Sequence, residues 1–295
     1  MSSRSESSGA DPFGLVTPAI LREWPLPDPG DSKYGRGQVV VLGGTPRAPG
    51  AVLLSGTAAL RAGAGRLGLA VAASIATGIA VILPESAVVR LAESGGTVDG
   101  TRLSDAADDL GGADAVLVGP GLDDPDHAVA MLRDVPGLVS DTATVVLDAF
   151  ALGVAPRVTA ELASLHGRLI LTPNKTEAAL LLDIEEDELD LERDIPRIAE
   201  KYGAAVTCYG IVVGEDGALW RIAEGGAGLG TSGSGDVLAG AILGFAGRGA
   251  TPGQAAVYGT WAHAVSGDRL ADSVGALGFL ARELADELPR ALATL

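Results

Sequence analysis

The segment Gly225-Gly226-Ala227-Gly228-Leu229-Gly230-Thr231-Ser232-Gly233-Ser234-Gly235-Asp236 runs directly into the apolar stretch Val237-Leu238-Ala239-Gly240-Ala241-Ile242-Leu243. A glycine-rich loop lets backbone N–H groups crowd around an anion. A helix N-terminus adds unsatisfied donors and the positive end of a dipole. Gly233, Ser234 and Gly235 therefore predict a cradle for a phosphate or an oxyanion. Asp236 falls at the helix start, where aspartate is a favoured cap. Capping alone would leave the preceding glycines as wasted entropy. Beside an anion hole, the carboxylate can instead take a proton from a hydroxyl as that hydroxyl attacks phosphorus. We expect the second role for Asp236.

Three further loops follow apolar strands. In Leu171-Thr172-Pro173-Asn174-Lys175-Thr176-Glu177, Pro173 stops a strand and Asn174 can cap a helix, with Glu177 at the capping-box position. The same residues could face a nucleotide's phosphates, with Glu177 ordering Mg²⁺ through water; neither role excludes the other. Gly43-Gly44-Thr45-Pro46-Arg47-Ala48-Pro49-Gly50-Ala51 and Gly119-Pro120-Gly121-Leu122-Asp123 are the others. Each alone could be an ordinary strand-to-helix turn; four at one sheet edge predict a site. Gly63-Ala64-Gly65-Arg66-Leu67-Gly68 matches G-x-G-x-x-G literally, but it follows a helix and leads into a strand. The dinucleotide fingerprint needs the reverse, so a Rossmann reading is rejected. His127, His166 and His263 have no ligand spacing, and we assign them no metal; His263 reads as a packed core residue.

These loops need a scaffold. Branched apolar runs predict strands at Gln38–Leu42, 67–71, 80–83, 115–118, 145–148, 169–171 and 204–207, and a hairpin from 211–213 and 219–222 around Glu215-Asp216-Gly217. Helices are predicted over 51–62, 127–133, 175–182, 193–202, 236–246, 253–270 and 277–288. The alternation implies an α/β fold, a mostly parallel sheet with helices on both faces. Ligands in such sheets sit beyond the carboxyl ends of the strands. No repeat or linker divides the chain, so residues 18–295 are expected to form one domain behind an N-terminal tail of residues 1–17. The acidic stretch 183–194 reads as solvated surface.

Among 295 residues, 21 basic and 38 acidic side chains give a net charge of −17. That balance argues against a nucleic-acid partner, because phosphate backbones select basic faces. It leaves room for a nucleotide in one backbone-lined pocket. The single cysteine, Cys208, permits no internal disulfide and fits a reducing cytoplasm. No secretory signal is predicted from the polar N-terminus, and the uncharged stretch 67–83 is short and interrupted for a membrane span.

Taken together, these motifs resemble the ribokinase-like superfamily and, within it, the family of ADP- or ATP-dependent NAD(P)H-hydrate dehydratases. The resemblance runs from about residue 33 to 288. It rests on Gly50-Ala51, the stretch Ala58 to Gly65, Gly119-Pro120-Gly121-Leu122, Thr172-Pro173 to Glu177 and the Gly233 to Gly240 motif. It implies nucleotide-driven dehydration of a hydrated nicotinamide cofactor, in which the ring hydroxyl is phosphorylated and leaves as phosphate. By similarity Asp236 is the base, and the backbone of Ser234, Gly235 and Asp236 holds the transferred group. Ala51, Gly121 and Asn174 line the hydrate pocket beside Asp236. Tyr209, Gly210, Ile211, Val212, Val213 and Glu177 serve the nucleotide, which brings Mg²⁺. The resemblance also implies a homo-oligomer, often a tetramer.

Three positions depart from the family pattern. Asn174 stands where His is common. Tyr209-Gly210 replaces a Lys-Gly pair, removing a cation. Asp148-Ala149-Phe150 replaces Asp-Ala-Asp, removing a carboxylate. Two other readings stay open on sequence: a kinase for a small hydroxymethyl or sugar substrate, and a nucleotide-binding paralogue without turnover.

Overall fold

The computed structural model describes residues 12–28 and 30–295. Twelve strands follow in chain order: β1 (Gly14–Leu15), β2 (Gln38–Leu42), β3 (Arg66–Ala72), β4 (Ser86–Leu91), β5 (Glu93–Ser94), β6 (Thr97–Val98), β7 (Ala115–Val118), β8 (Thr144–Leu147), β9 (Leu169–Leu171), β10 (Ala204–Cys208), β11 (Ile211–Val213) and β12 (Leu219–Arg221). Ten of them form one sheet in the order β1-β12-β11-β10-β9-β8-β7-β2-β3-β4, and β5 and β6 pair separately. Every pairing in the large sheet is parallel except those made by β11, which runs against β10 and β12. The expected hairpin is present, and β12 again points the same way as β10.

The strands are short apolar runs because both faces are covered. Val39 and Val41 pack into one hydrophobic cluster, while Val40 and Leu42 pack into another across the sheet. From β2 the chain runs outward through β3 and β4, then returns to lay β7, β8, β9 and β10 on the other side. The loops after β2 and β7 therefore diverge at a switch point, where crevices open in such sheets.

One crossing fixes the geometry above that edge. The helix Pro49–Arg61 packs on the helix Ser234–Gly247 through small residues. A Cβ on Gly240 would stand 2.1 Å from the Ser55 carbonyl oxygen. Only glycine permits that approach, which brings the start of the 49–61 helix alongside the glycine-rich loop.

Several expectations need correction. Residues 80–83 are not a strand: they end the helix Ala76–Ile82, on which Val81 and Ile82 are exposed. The edge strand is β4, whose Ser86 and Arg90 hide it from a hydrophobicity reading. The N-terminal boundary at residue 17 is also displaced. Phe13 and Val16 are buried, and β1 pairs with β12; the expected tail over residues 1–11 lies outside the described residues. In the acidic stretch, Asp194 is fully buried, with Arg193 and Arg197 on its oxygens at 2.6 to 2.8 Å. Hydrogen bonding from Arg193 holds that carboxyl well below the usual range. The last helix begins at Ala281, four residues later than expected. The G-x-G-x-x-G segment does join a helix ending at Arg61 to β3.

Candidate active site

The four loops singled out by sequence all leave the carboxyl edge of the sheet, after β2, β7, β9 and β12. The first two are tied to each other. Gly44 N–H donates to the Pro120 carbonyl at 2.8 Å, and Thr45 N–H to that of Gly121 at 3.0 Å. A Cβ on Gly43 would lie 2.0 Å from the Pro120 oxygen, so this contact too demands glycine. Asp123 accepts from Thr45 and Thr97 hydroxyls at 3.1 and 2.5 Å, which fastens the β5–β6 hairpin to the pair. Ala51, in the first turn of the 49–61 helix, and Gly121 are thereby held on adjoining segments.

The glycine-rich loop reaches its helix through Gly233, the N-cap, at φ +87°. Gly233 has no side chain with which to cap, and Asp236 is the third helical residue rather than the cap. The Ser234 amide is spent on the Thr231 carbonyl at 3.1 Å, and Val237 N–H already bonds to Gly233 O. The amides of Gly235 and Asp236 lie between them, ahead of the intrahelical ladder. The expected cradle of amides 234 to 236 thus reduces to Gly235 and Asp236. Ser234 instead contributes its hydroxyl, 2.9 Å from His263 Nε2. Burial pushes His263 down to about 4, so the ring is neutral near pH 7.

A cavity of about 690 Å³ opens beside this helix start, between the loops after β9, β10 and β12. Asn174, Tyr209, Gly210, Ser234 and Gly235 line it, as do Thr207, Cys208, Glu224, Leu238 and His263. Asn174, expected on the hydrate side, therefore also walls this cavity. Ile211, Val212 and Val213 do not line it: they are buried at 4%, 0% and 2% exposure within the sheet. The loop after β12 supplies the wall that had been expected from them. Sequence reasoning gave Glu224 no role and read His263 as a packed core residue, which its burial bears out; it did not show the contact with Ser234. Glu224 follows a hairpin without any motif, and His263 arrives from the helix Pro252–Ser273 across the fold. Glu224 Oε2 is buried and has no hydrogen-bond partner among the described residues.

Asn174 and Glu177 make the full capping box. Asn174 Oδ1 accepts from Glu177 N–H, and Glu177 Oε2 accepts from Asn174 N–H, each at 2.9 Å. Burial raises Glu177 above the ordinary carboxylate value. Burial alone pushes Asp236 up to about 6. It thus sits near the range where a carboxylate is mostly ionised at pH 7 yet retains basicity.

Asp148, directly after β8, received no role from the sequence. It is 5% exposed, and Asp236 and Glu177 are close enough to raise it further after burial has done most. It is pushed up to about 8 and is neutral at pH 7. Thr172 Oγ1 donates to Asp148 Oδ1 at 2.6 Å and also lies 3.2 Å from the Leu147 carbonyl oxygen. The next residue, Ala149, has φ +51° and ψ −120°, a region disfavoured for side chains with a Cβ. The available signal was an acid following a buried strand at the same edge.

The raised Asp148 has a stability consequence. Its folded-state pKa exceeds the unfolded value, so the native state holds the proton longer and stability falls as pH rises from about 4 through about 8. Asp148→Asn keeps the shape and removes the ionisation. We expect it to melt with wild type near pH 4 and to be more stable by ~1–3 kcal/mol at pH 8.5. A constant difference across that range, measured by thermal melts, would contradict the buried neutral acid.

The comparisons with known proteins bear on this geometry. The model of the NAD(P)H-hydrate dehydratase family matches residues 39–290. The chain belongs to that family. It is 44% identical over 282 residues to the ADP-dependent (S)-NAD(P)H-hydrate dehydratase of Xanthomonas campestris pv. campestris, covering 93% of this chain and 94% of that one. It is 27% identical to the Bacillus subtilis ADP/ATP-dependent NAD(P)H-hydrate dehydratase co-crystallized with ATP and Mg²⁺, with a TM-score of 0.72 over 91% of this chain and 94% of that one. A ribokinase-like superfamily protein of Enterococcus faecalis shares the fold at 21% identity, with a TM-score of 0.82 over 98% of each chain. The dehydratase family thus carries the ribokinase-like architecture described above. Among the described residues, no helix is long and apolar enough to cross a membrane.

Proposed function

We infer that this protein is an adenine-nucleotide-dependent dehydratase that restores NADH or NADPH from the hydrated cofactor. The observation that carries the chemistry is Asp236. Its carboxyl is raised to about 6 and lies within one turn of two amides that precede the helix ladder, beside a cavity large enough for a nucleotide. Family membership supplies the hydrate as substrate.

In this reading the hydrate's hydroxyl oxygen attacks the terminal phosphorus of the nucleotide as Asp236 takes its proton. The bond from that phosphorus to the nucleotide's bridging oxygen breaks, and the amides of Gly235 and Asp236 stabilise the charge on the transferred group. Phosphate then departs with the C–O bond electrons, the ring loses a proton, and the C=C bond returns. Ala51 and Gly121 face the nicotinamide side; Asn174, Tyr209 and Gly210 face the nucleotide. Mg²⁺ brought by the nucleotide would offset phosphate charge. Glu177 fits the water-mediated role, because Oε2 accepts from Asn174 and no hydrogen bond to the other oxygen is made among the described residues.

The donor is ADP in this reading, as in the name of the Xanthomonas relative, with ATP as the alternative. Self-association is carried from the family resemblance and a cytoplasmic location from the lone cysteine; sedimentation and fractionation test them. Recovery of absorbance at 340 nm from purified NADH hydrate, with Mg²⁺ and ADP, ATP or neither, tests the activity. Recovery that requires a nucleotide supports the dehydratase. A stable phosphorylated product would transfer the reading to a small-molecule kinase, and binding without recovery to a silent nucleotide binder.

A further inference from the structure

The cavity assigned to the nucleotide contains no lysine or arginine among its lining residues. Its electrostatic surroundings oppose an anion. Glu224 lines it, Asp148 feels both Asp236 and Glu177, and the whole chain carries −17. A nucleoside diphosphate brings a cluster of negative charges, and two backbone amides leave most of that charge uncompensated.

Lys175 is the first residue of the helix Lys175–Leu182, directly after the lining residue Asn174. A cation at this position opposes the helix dipole, so helix stability gives no reason for it. Nor does it extend simply into solvent. Its Nζ lies 5.1 Å from the centroid of the Tyr209 ring, within the range of a cation–π contact. Tyr209 itself lines the cavity, is 67% exposed and has φ +47°, unusual for a bulky side chain. Lys175 is also felt across the cavity wall. The neighbouring Cys208 thiol is pushed up to about 12 by burial, and Lys175 works against that rise.

We propose that Lys175, held over the Tyr209 ring at the cavity mouth, is the cation that binds the phosphates of the nucleotide. This rests on the nucleotide-dependent reading above. Tyr209 is then a positioning residue: its ring keeps the ammonium at the mouth in the empty protein and yields it when phosphate arrives. The ammonium makes charge-assisted hydrogen bonds to phosphate oxygens and none to the nucleoside, so its contribution depends on the phosphates alone.

The test is calorimetric titration of the full chain with ADP in Mg²⁺ and, separately, with adenosine. Lys175→Ala should weaken ADP on the order of 10–100-fold, the value of a charged hydrogen bond, and leave adenosine unchanged. Its ADP affinity should also depend less steeply on salt. Tyr209→Phe should retain ADP affinity and Tyr209→Ala should lose part of it. Adding Tyr209→Lys to the Lys175→Ala variant should restore ADP binding, since the amine returns to the same mouth from the other partner. Wild-type ADP affinity in Lys175→Ala would overturn the proposal. An equal loss for adenosine would also overturn it, because the residue would then be shaping the pocket. If wild type neither binds ADP nor shows nucleotide-dependent recovery, the nucleotide reading itself falls and this proposal with it.

Discussion

Asp236→Asn should lower kcat by ~10²–10⁴-fold, the size associated with a positioned proton acceptor. The substitution keeps the side chain's volume and removes its basicity. It should leave ADP binding unchanged or slightly tighter, because a carboxylate near the phosphates is removed. Folding should not suffer. Gly233, not Asp236, occupies the N-cap, and burial already disfavours the ionised carboxyl. A cap would behave differently: its loss would cost ~1 kcal/mol of stability and leave chemistry intact. The pH profile adds an independent check. A base raised to about 6 must lose its proton to work, so wild-type kcat/KM should climb with pH and level off above about pH 7. Steady-state rates with melts on the same samples decide the matter, and full activity in Asp236→Asn would remove the base from the mechanism.

Gly240→Ala should be strongly damaging although it lies away from the reacting groups. The added Cβ would meet the backbone of Ser55, with the oxygen at 2.1 Å and the Cα at 2.7 Å. Backbone on a packed helix cannot rotate aside as a side chain can, so the two helices must separate. Overpacking of this kind costs ~1–3 kcal/mol, or about 2–6 °C in melting temperature. The same separation moves Ala51 relative to Asp236, and misplacement near 1 Å can cost about 10²-fold in rate. We therefore expect kcat to fall by about 10–100-fold as well. Gly78→Ala is the control: nothing stands within 4 Å of its added Cβ, and alanine is the better helix former. A Gly240→Ala protein with wild-type melting and kcat would mean that the crossing does not set the site.

The two variants probe different levels of the molecule. Asp236→Asn tests the proposed proton acceptor, whereas Gly240→Ala tests the distance between two helix axes. Asp148 adds a third level. Keeping an acid neutral between β8 and Thr172 spares the site one more negative charge beside the incoming phosphates, at a cost in stability that grows with pH.

The sequence by itself determined what local pattern controls. Apolar runs located most strands because strands covered on both faces must be apolar throughout. Gly233-Ser234-Gly235-Asp236 marked a glycine-led helix start because what such a start requires is satisfied within one turn. The Asn174–Glu177 capping box was legible for the same reason. Tertiary structure decided what depends on neighbours distant along the chain. It gave Ser234 a partner in His263, 29 residues away, and spent its amide on Thr231. It withdrew Ile211, Val212 and Val213 into the sheet, since an apolar run marks a strand without saying whether a cavity reaches its side chains. It made Asp148 a neutral acid, because burial and nearby carboxylates arise only when β8, β9 and the 234–247 helix are assembled. It also set Lys175 beside Tyr209, which are 34 positions apart, and so put a cation back where the motif pattern alone had shown only its loss.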